Sequence, residues 1–337
     1  MAFWKKKGLE TPARFRERVE RKGLTQEFFN IITEGRFTPD QIRVVLTEPG
    51  ASMARSKASE KFIETEWQRL ITTGVKPWPN DTAPSRYRFV EARIRKEHED
   101  EYLEVTLDPG VSYRDAIGSR PAGFKKFGPE YMPNPVGVTT VIRAKNKKGE
   151  DMLLVTLRSV KNDFKGGGYH VSTGGIMEIK KDASPADTAV REITEEVGLK
   201  KEELNSLVCC GVVENKLVSS SVEIVFDATT NITVEEIMSR VHDDENELLF
   251  IPATPEKMRE WLVVPTHANM GITNAAVLMV GRDMVAQVSG EAAAQEWYND
   301  LMKFLAVRSQ QARKRGANVL EQRDVARLAN KVKSARE

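Results

Sequence analysis

At 337 residues, with 40% hydrophobic and 30% charged side chains, the chain has the composition of a globular protein of about two domains. Its 51 basic and 49 acidic residues leave a formal net charge of +2, so no global field selects nucleic acid or a membrane surface as partner. No apolar run approaches the roughly 20 residues of a membrane helix, and Met1-Ala2-Phe3-Trp4-Lys5-Lys6-Lys7 lacks the apolar core of a secretory signal.

Residues up to about Thr73 read as helical. Phe29, Ile31 and Ile32, then Ile42, Val44, Val45 and Leu46, then Phe62, Trp67, Leu70 and Ile71 recur at helix-like spacing, separated by Pro39 and Pro49-Gly50. The run Lys76-Pro77-Trp78-Pro79-Asn80-Asp81-Thr82-Ala83-Pro84 crowds prolines and turn formers and is expected as a linker. The section before it suits a cap, a dimerisation element or a docking module.

Strands follow at Tyr87–Arg95, Tyr102–Leu107, Val136–Ala144 and Met152–Arg158, the last two joined across Lys145–Glu150. Tyr169-His170-Val171-Ser172 reads as a strand running into a glycine turn at Thr173-Gly174-Gly175. The next element is a helix legible from its punctuation. Ser184 is the N-cap, Pro185 sits at the first helical position, Asp187 closes an S-x-x-D capping box and Gly198 ends the helix. Ala186, Ala189, Val190, Ile193 and Val197 form an apolar stripe that must face a core. Glu192, Glu195 and Glu196 fall beside it at i, i+3 and i+4, with Arg191 among them. Three carboxylates that close repel one another unless a positive charge sits between them, and an oxygen-rich anionic cluster suits Mg²⁺ or Mn²⁺. An exposed amphipathic helix with an acidic edge is the plainer reading of the same residues.

Further strands are expected at Leu207–Val213, Ser221–Phe226 and Leu248–Ile251, with helices at Val234–Val241 and from about Asn274. Cys209 and Cys210 are adjacent in a buried-strand pattern and cannot comfortably bridge each other, so free thiols and a reducing cytoplasm are expected. Residues Ala292–Glu337 read as a basic helical tail, a solvated surface more than a site for RNA or an acidic partner. The chain therefore divides into a helical region at 1–80, a central domain with an accessory hairpin at 81–285, and the tail at 286–337.

Arg191-Glu192-Ile193-Thr194-Glu195-Glu196-Val197-Gly198-Leu199 resembles the second half of the Nudix hydrolase signature, G-x5-E-x7-R-E-U-x-E-E-x-G-U with U bulky and apolar. The resemblance covers about Pro135 to Arg282, with the signature at Gly174–Leu199. Its first half departs: counting from Gly175 puts Lys181 where glutamate is expected, and counting back from Arg191 reaches Ala183. The loop Ile176–Ser184 thus reads two residues longer than the pattern, leaving Asp182 or Glu178 to supply that carboxylate.

What the resemblance implies is an α/β fold, a Nudix-type α/β/α sandwich with a mixed sheet, here with an N-terminal helical region and a C-terminal helical tail. It implies Mg²⁺ or Mn²⁺ held by Glu195, Glu196 and the main-chain oxygen of Gly174. Glu192 would be a further ligand or the carboxylate that activates water, and Arg191 would orient Glu195 or its neighbour. The reaction implied is hydrolysis of a diphosphate in a small-molecule nucleoside diphosphate derivative. A later acidic residue in many relatives points to His242–Glu247, with Glu245 and Glu247 the candidates and Glu247 ahead. Arg158 and Lys161 stand where substrate phosphates would pass, and Tyr169, Phe164 and Trp261 are candidates to stack a base. Lys165-Gly166-Gly167-Gly168 lacks P-loop spacing and reads as a loop, and His170 and His267 have no partners at zinc spacing. ADP-ribose, a nucleotide sugar or a nucleoside triphosphate all fit, and a homodimer is compatible. The competing reading is a catalytically altered nucleotide-binding or regulatory module. Isopentenyl diphosphate isomerisation is disfavoured, because its cysteine and acid pair cannot be placed here.

Overall fold

The computed structural model describes residues 28–72, 83–118, 123, 126–158, 169–216, 221–240, 246–263 and 271–314. The expected linker lies largely outside them. So do Lys161, Phe164, the Lys165–Gly168 loop, Glu245, His267 and the tail beyond Lys314.

Eleven strands form two sheets among the described residues: β1 (Phe29–Phe37), β2 (Ile42–Leu46), β3 (Pro84–Glu97), β4 (Asp100–Ser112), β5 (Val136–Lys145), β6 (Asp151–Arg158), β7 (Tyr169–Val171), β8 (Thr173–Ile176), β9 (Leu204–Asn215), β10 (Ser221–Thr230) and β11 (Asn246–Pro252). Seven α-helices accompany them: α1 (Lys57–Thr72), α2 (Tyr113–Gly118), α3 (Pro185–Val197), α4 (Val234–Ser239), α5 (Pro255–Val263), α6 (Gly271–Ser289) and α7 (Glu291–Lys314). No described helix is long and apolar enough to cross a membrane.

The large sheet runs β1-β9-β10-β5-β6-β11, with β7 on β6 and β8 on β5. β5 and β10 pair in parallel at its centre and carry apolar residues on both faces, as strands covered on both sides must. Alternation then sorts the side chains. Val141, Leu153, Val155 and Val225 meet α6 residues such as Ile272, Ala275 and Met279 on one face. Ile142, Leu154 and Ala228 meet Ile193, Val197 and Leu199 of α3 and its exit on the other. That second face also carries the small sheet β2-β4-β3, whose Tyr87, Phe89, Leu103 and Leu107 pack with Val136, Val138, Val212 and Phe226. The mixed sheet with helices on both faces agrees with the expected sandwich. The small sheet is wider than the expected hairpin, because β2 joins its edge.

Two segments expected as helices are strands. Phe29–Phe37 pairs antiparallel with β9 and Ile42–Leu46 pairs parallel with β4. Their apolar clusters are short and rich in β-branched residues, for which helical and strand periods cannot be separated, and the partner strands decide. The third expected helix is present as α1, with Ile63 and Trp67 buried. α5, absent from the sequence reading, places Met258 and Leu262 in the core beneath α6.

Cys209 and Cys210 are free and buried in β9. Strand alternation puts Cys209 in the core on the α3 side and Cys210 in the core on the α6 side, and a bulge at Cys210–Gly211, where the backbone turns to φ 138, then returns Val212 to the Cys209 face and Val213 to the Cys210 face.

Candidate active site

The site begins with a splay between two strands. β5 and β6 pair directly only at Arg143–Lys145, and the segment 169–176 fills the gap, β7 pairing with β6 and β8 with β5. Ser172 spans the gap at the crossover: its hydroxyl accepts from the Ile142 amide and donates to the Leu154 carbonyl, both at 2.7 Å. Gly174 and Gly175, expected in a turn, are therefore strand residues opposite Thr139 and Val138. Pairing with β5 holds them extended, and their lack of side chains serves packing. A Cβ at Gly175 would be driven into the Glu192 carboxylate, and one at Gly174 would crowd His170, the Val138 carbonyl and Thr139.

Helix α3 is capped as its sequence dictates. The Ser184 hydroxyl accepts from the Asp187 amide, the Asp187 carboxylate accepts from the Ser184 amide at 2.9 Å, and Gly198 closes the far end at φ 71. Ala189, Ile193 and Val197 are fully buried, and this fixes the helix's rotation. Glu192 then lies against Gly175 at 9% exposure, Glu195 projects outward and Glu196 is half-buried.

Arg191 organises the acids. Its guanidinium donates to both oxygens of Asp182 at 3.0 Å each, to Glu192 Oε1 at 2.6 Å, to Glu195 Oε2 at 3.3 Å and to the Ile176 carbonyl at 3.3 Å. Of the two carboxylates considered for the gap in the signature, Asp182 is the one that pairs with Arg191; Glu178 pairs with Arg86 and Lys181. Burial works to raise the Asp182 pKa, but the Arg191 contact and the Glu178 amide outweigh it and hold the carboxyl below its ordinary range. Glu192 moves the other way: burial raises it, with Arg191 opposing and the Glu195 and Asp182 charges adding. Glu196 Oε2 accepts from the Gly174 amide at 3.2 Å and so faces the glycine strand.

Arg191, Glu192, Glu195, Glu196 and Gly174 are thus one contiguous group. Glu247 stands apart at the opening of the edge strand β11, opposite Leu157 and exposed. Leu248 packs on the α3 side and Leu249 on the α6 side, so strand alternation puts Glu247 on the face away from α3. Arg158 ends β6 opposite Asn246. Tyr169 packs edge-to-face on Trp261, ring centroids 6.0 Å apart, and both belong to the core under α6. Among the described residues no three His, Cys, Asp or Glu side chains are gathered as a ligating array. The carboxylates of this group, with the main-chain oxygen of Gly174, are nonetheless all oxygen donors, the chemistry that suits Mg²⁺ or Mn²⁺.

Two contacts had no signal in the sequence. Thr139, buried in β5 beside Gly174, donates to Glu223 of β10, whose side chain lies over Gly137. Arg86 of β3 reaches Glu178 in the loop before α3. Both join residues distant in the chain that only sheet packing brings together.

The NUDIX domain family model matches residues 133–268. A mutT/nudix family protein from Listeria innocua is 19% identical, over 47% of this chain and 96% of that one, with a TM-score of 0.34. The Bacillus subtilis pyrophosphohydrolase BsRppH, in a mutant form, is 15% identical over 48% and 87%, at 0.29. The C. elegans Ap4A hydrolase is 15% identical over 42% and 94%, at 0.27. No curated protein sequence matches the chain. Residues 133–268, less than half of the chain, carry a NUDIX domain.

Proposed function

We propose that this domain hydrolyses the diphosphate bond of a nucleoside diphosphate joined to a second group, water attacking one phosphorus and the other phosphate departing. The observation that carries the reading is the array Asp182–Arg191–Glu192–Glu195, with Glu196 turned to Gly174. A lone acidic helix edge would leave all its carboxylates to solvent, whereas here Glu192 is buried and is held, with Asp182, by one guanidinium.

In this reading Glu195, Glu196 and the main-chain oxygen of Gly174 would hold Mg²⁺ or Mn²⁺. Such an ion, when bound, neutralises charge on the diphosphate and orients it, which is most of what phosphoryl transfer demands. Glu195, with its side chain 55% exposed, has room to turn toward a ligand. Glu192 is assigned the proton. Its Oε1 is engaged by Arg191, so Oε2 is the atom that accepts from the attacking water, and the burial that raises its pKa makes it a better base. Arg191 orients Glu192 and Glu195, and Asp182 orients Arg191. The two buried free thiols suit a reducing compartment such as the cytoplasm.

The test is a panel of ADP-ribose, nucleotide sugars and nucleoside triphosphates with Mg²⁺ or Mn²⁺, in ¹⁸O-water, with products read by mass. Phosphate-labelled monophosphate product is expected from wild type, and none from Glu196→Gln folded to the same melting temperature. Unchanged turnover in that variant overturns the reading. Thermal stabilisation by a nucleotide with no product released favours the binding-module alternative.

A further inference from the structure

We propose that the three-stranded sheet is a working part of this site, and that Arg86 is the positioning residue through which it acts. The kinetic arm of the inference rests on the hydrolase reading above; the metal-affinity arm does not.

The loop between β8 and α3 is clamped from two sides. On one, the Met177 amide donates to the Val136 carbonyl of β5 at 3.0 Å and the Met177 side chain is fully buried. On the other, the loop borrows the edge of β3: the Ile179 amide donates to the Ser85 carbonyl at 3.1 Å, and Arg86 and Glu178 form an isolated antiparallel bridge. The same two residues form an ion pair at 3.6 Å, with side chains only 11% and 23% exposed, and the Arg86 guanidinium lies over the Tyr113 ring, 5.4 Å from its centre. Arg86 is thus pinned at the corner of the small sheet before it meets the loop.

Glu178 is the residue on which the loop closes around Asp182. Its amide donates to Asp182 Oδ2 at 2.8 Å and its carbonyl accepts from the Asp182 amide at 2.9 Å. Asp182 grips Arg191, and Arg191 grips Glu192 and Glu195. From Arg86 to Glu195 every link is a direct contact of 3.6 Å or less. The departure from the signature fits this arrangement. Asp182 comes one position later after Gly175 than the expected glutamate, and Arg191 one position later again after it, so the loop is longer where it must reach β3. Outer residues that orient ligands are worth about 10- to 100-fold in metal affinity or activity.

The experiment uses the full chain with Arg86→Met and Arg86→Lys, alone and in the Asp182→Asn background. Hydrolysis is measured on the best substrate of the panel, and Mn²⁺ affinity is measured without substrate by electron paramagnetic resonance. Arg86→Met is expected to lower kcat about tenfold with KM within about twofold, and to weaken Mn²⁺ binding severalfold. Arg86→Lys should recover most of both. In the Asp182→Asn background Arg86→Met should add no further loss, because both act through one chain of contacts. Should Arg86→Met fail to fold, Glu178→Gln, which keeps the main-chain bridge, is expected to show the same effects. Wild-type kcat and Mn²⁺ affinity in these variants, or losses that multiply with Asp182→Asn, overturn the proposal. Wild-type protein inert toward the whole panel sinks the hydrolase reading instead, and the Mn²⁺ titration still decides the positioning role.

Discussion

Asp182 and Arg191, nine residues apart, meet through two hydrogen bonds of 3.0 Å, and the aspartate is only 2% exposed. The pair connects the loop to the helix and hands the guanidinium's remaining donor to Glu192 and Glu195. Its geometry is bidentate, the form in which arginine both binds and orients a carboxylate.

Breaking that pair should cost stability and activity together. Asp182→Asn removes the bidentate, most buried of the guanidinium's three carboxylate partners and leaves it Glu192 and Glu195, for which a loss of about 2 kcal/mol is expected. A drop in kcat of about tenfold or more should accompany it. Because the folded-state pKa of Asp182 is lowered, its contribution is complete at neutral pH and is lost as pH falls below about 4. Denaturant midpoints should show a gap between wild type and variant that is wide at neutral pH and narrows in acid.

Gly175→Ala is a small change with a directed effect. The added methyl would occupy the space of the Glu192 carboxylate, so that side chain must move. Gly175 has an ordinary extended backbone, so the fold should tolerate alanine and the melting temperature should move little. A displacement of about 1 Å at a reacting group costs about 100-fold, the loss of kcat expected here. A variant with wild-type kcat would mean that Glu192 does no work where it stands.

Arg240 holds the exit of helix α3 by donating to the Gly198 carbonyl at 2.7 Å and to both oxygens of Glu203 at 2.8 and 2.9 Å. Those bonds are the main reason the Glu203 carboxyl is held down at about 2. The cluster lies at the surface, its Arg240 and Glu203 side chains partly exposed, so screening by solvent should hold the cost of Arg240→Met to about 1 kcal/mol, and less at high salt. A lowered carboxylate pKa means the difference is fully present above the ordinary glutamate value and disappears as pH falls through about 2. Thermal melts across that range would check the sign.

Both thiols should be inert in the native protein. Burial raises Cys209 to about 12 and Cys210 well above its ordinary value, and the two lie in cores on opposite faces of the sheet. A chromogenic disulfide reagent should titrate neither at pH 8 until denaturant is added, and then both. Fast labelling of either thiol without denaturant would contradict the burial described here.

Much of the site was legible in the chain because its determinants are local. The caps at Ser184 and Gly198, the stripe through Ile193 and the spacing of Arg191, Glu192, Glu195 and Glu196 depend on residues within a few turns of one another, and helical geometry alone puts them on one side. Counting leaves Asp182 and Glu178 both open, since both carboxylates sit in the same loop, and only the fold turns Asp182 toward Arg191 and Glu178 toward Arg86. The strand nature of Phe29–Phe37 and Ile42–Leu46 could not be read, because short β-branched clusters take their period from the strand beside them. Non-local pairing likewise decided that Gly174 and Gly175 lie in a strand, that Thr139 meets Glu223, and that Arg86 reaches the loop. Local sequence determined which carboxylates share a helix face; the sheets determined what holds them, because hydrogen bonds between strands join residues that no spacing rule connects.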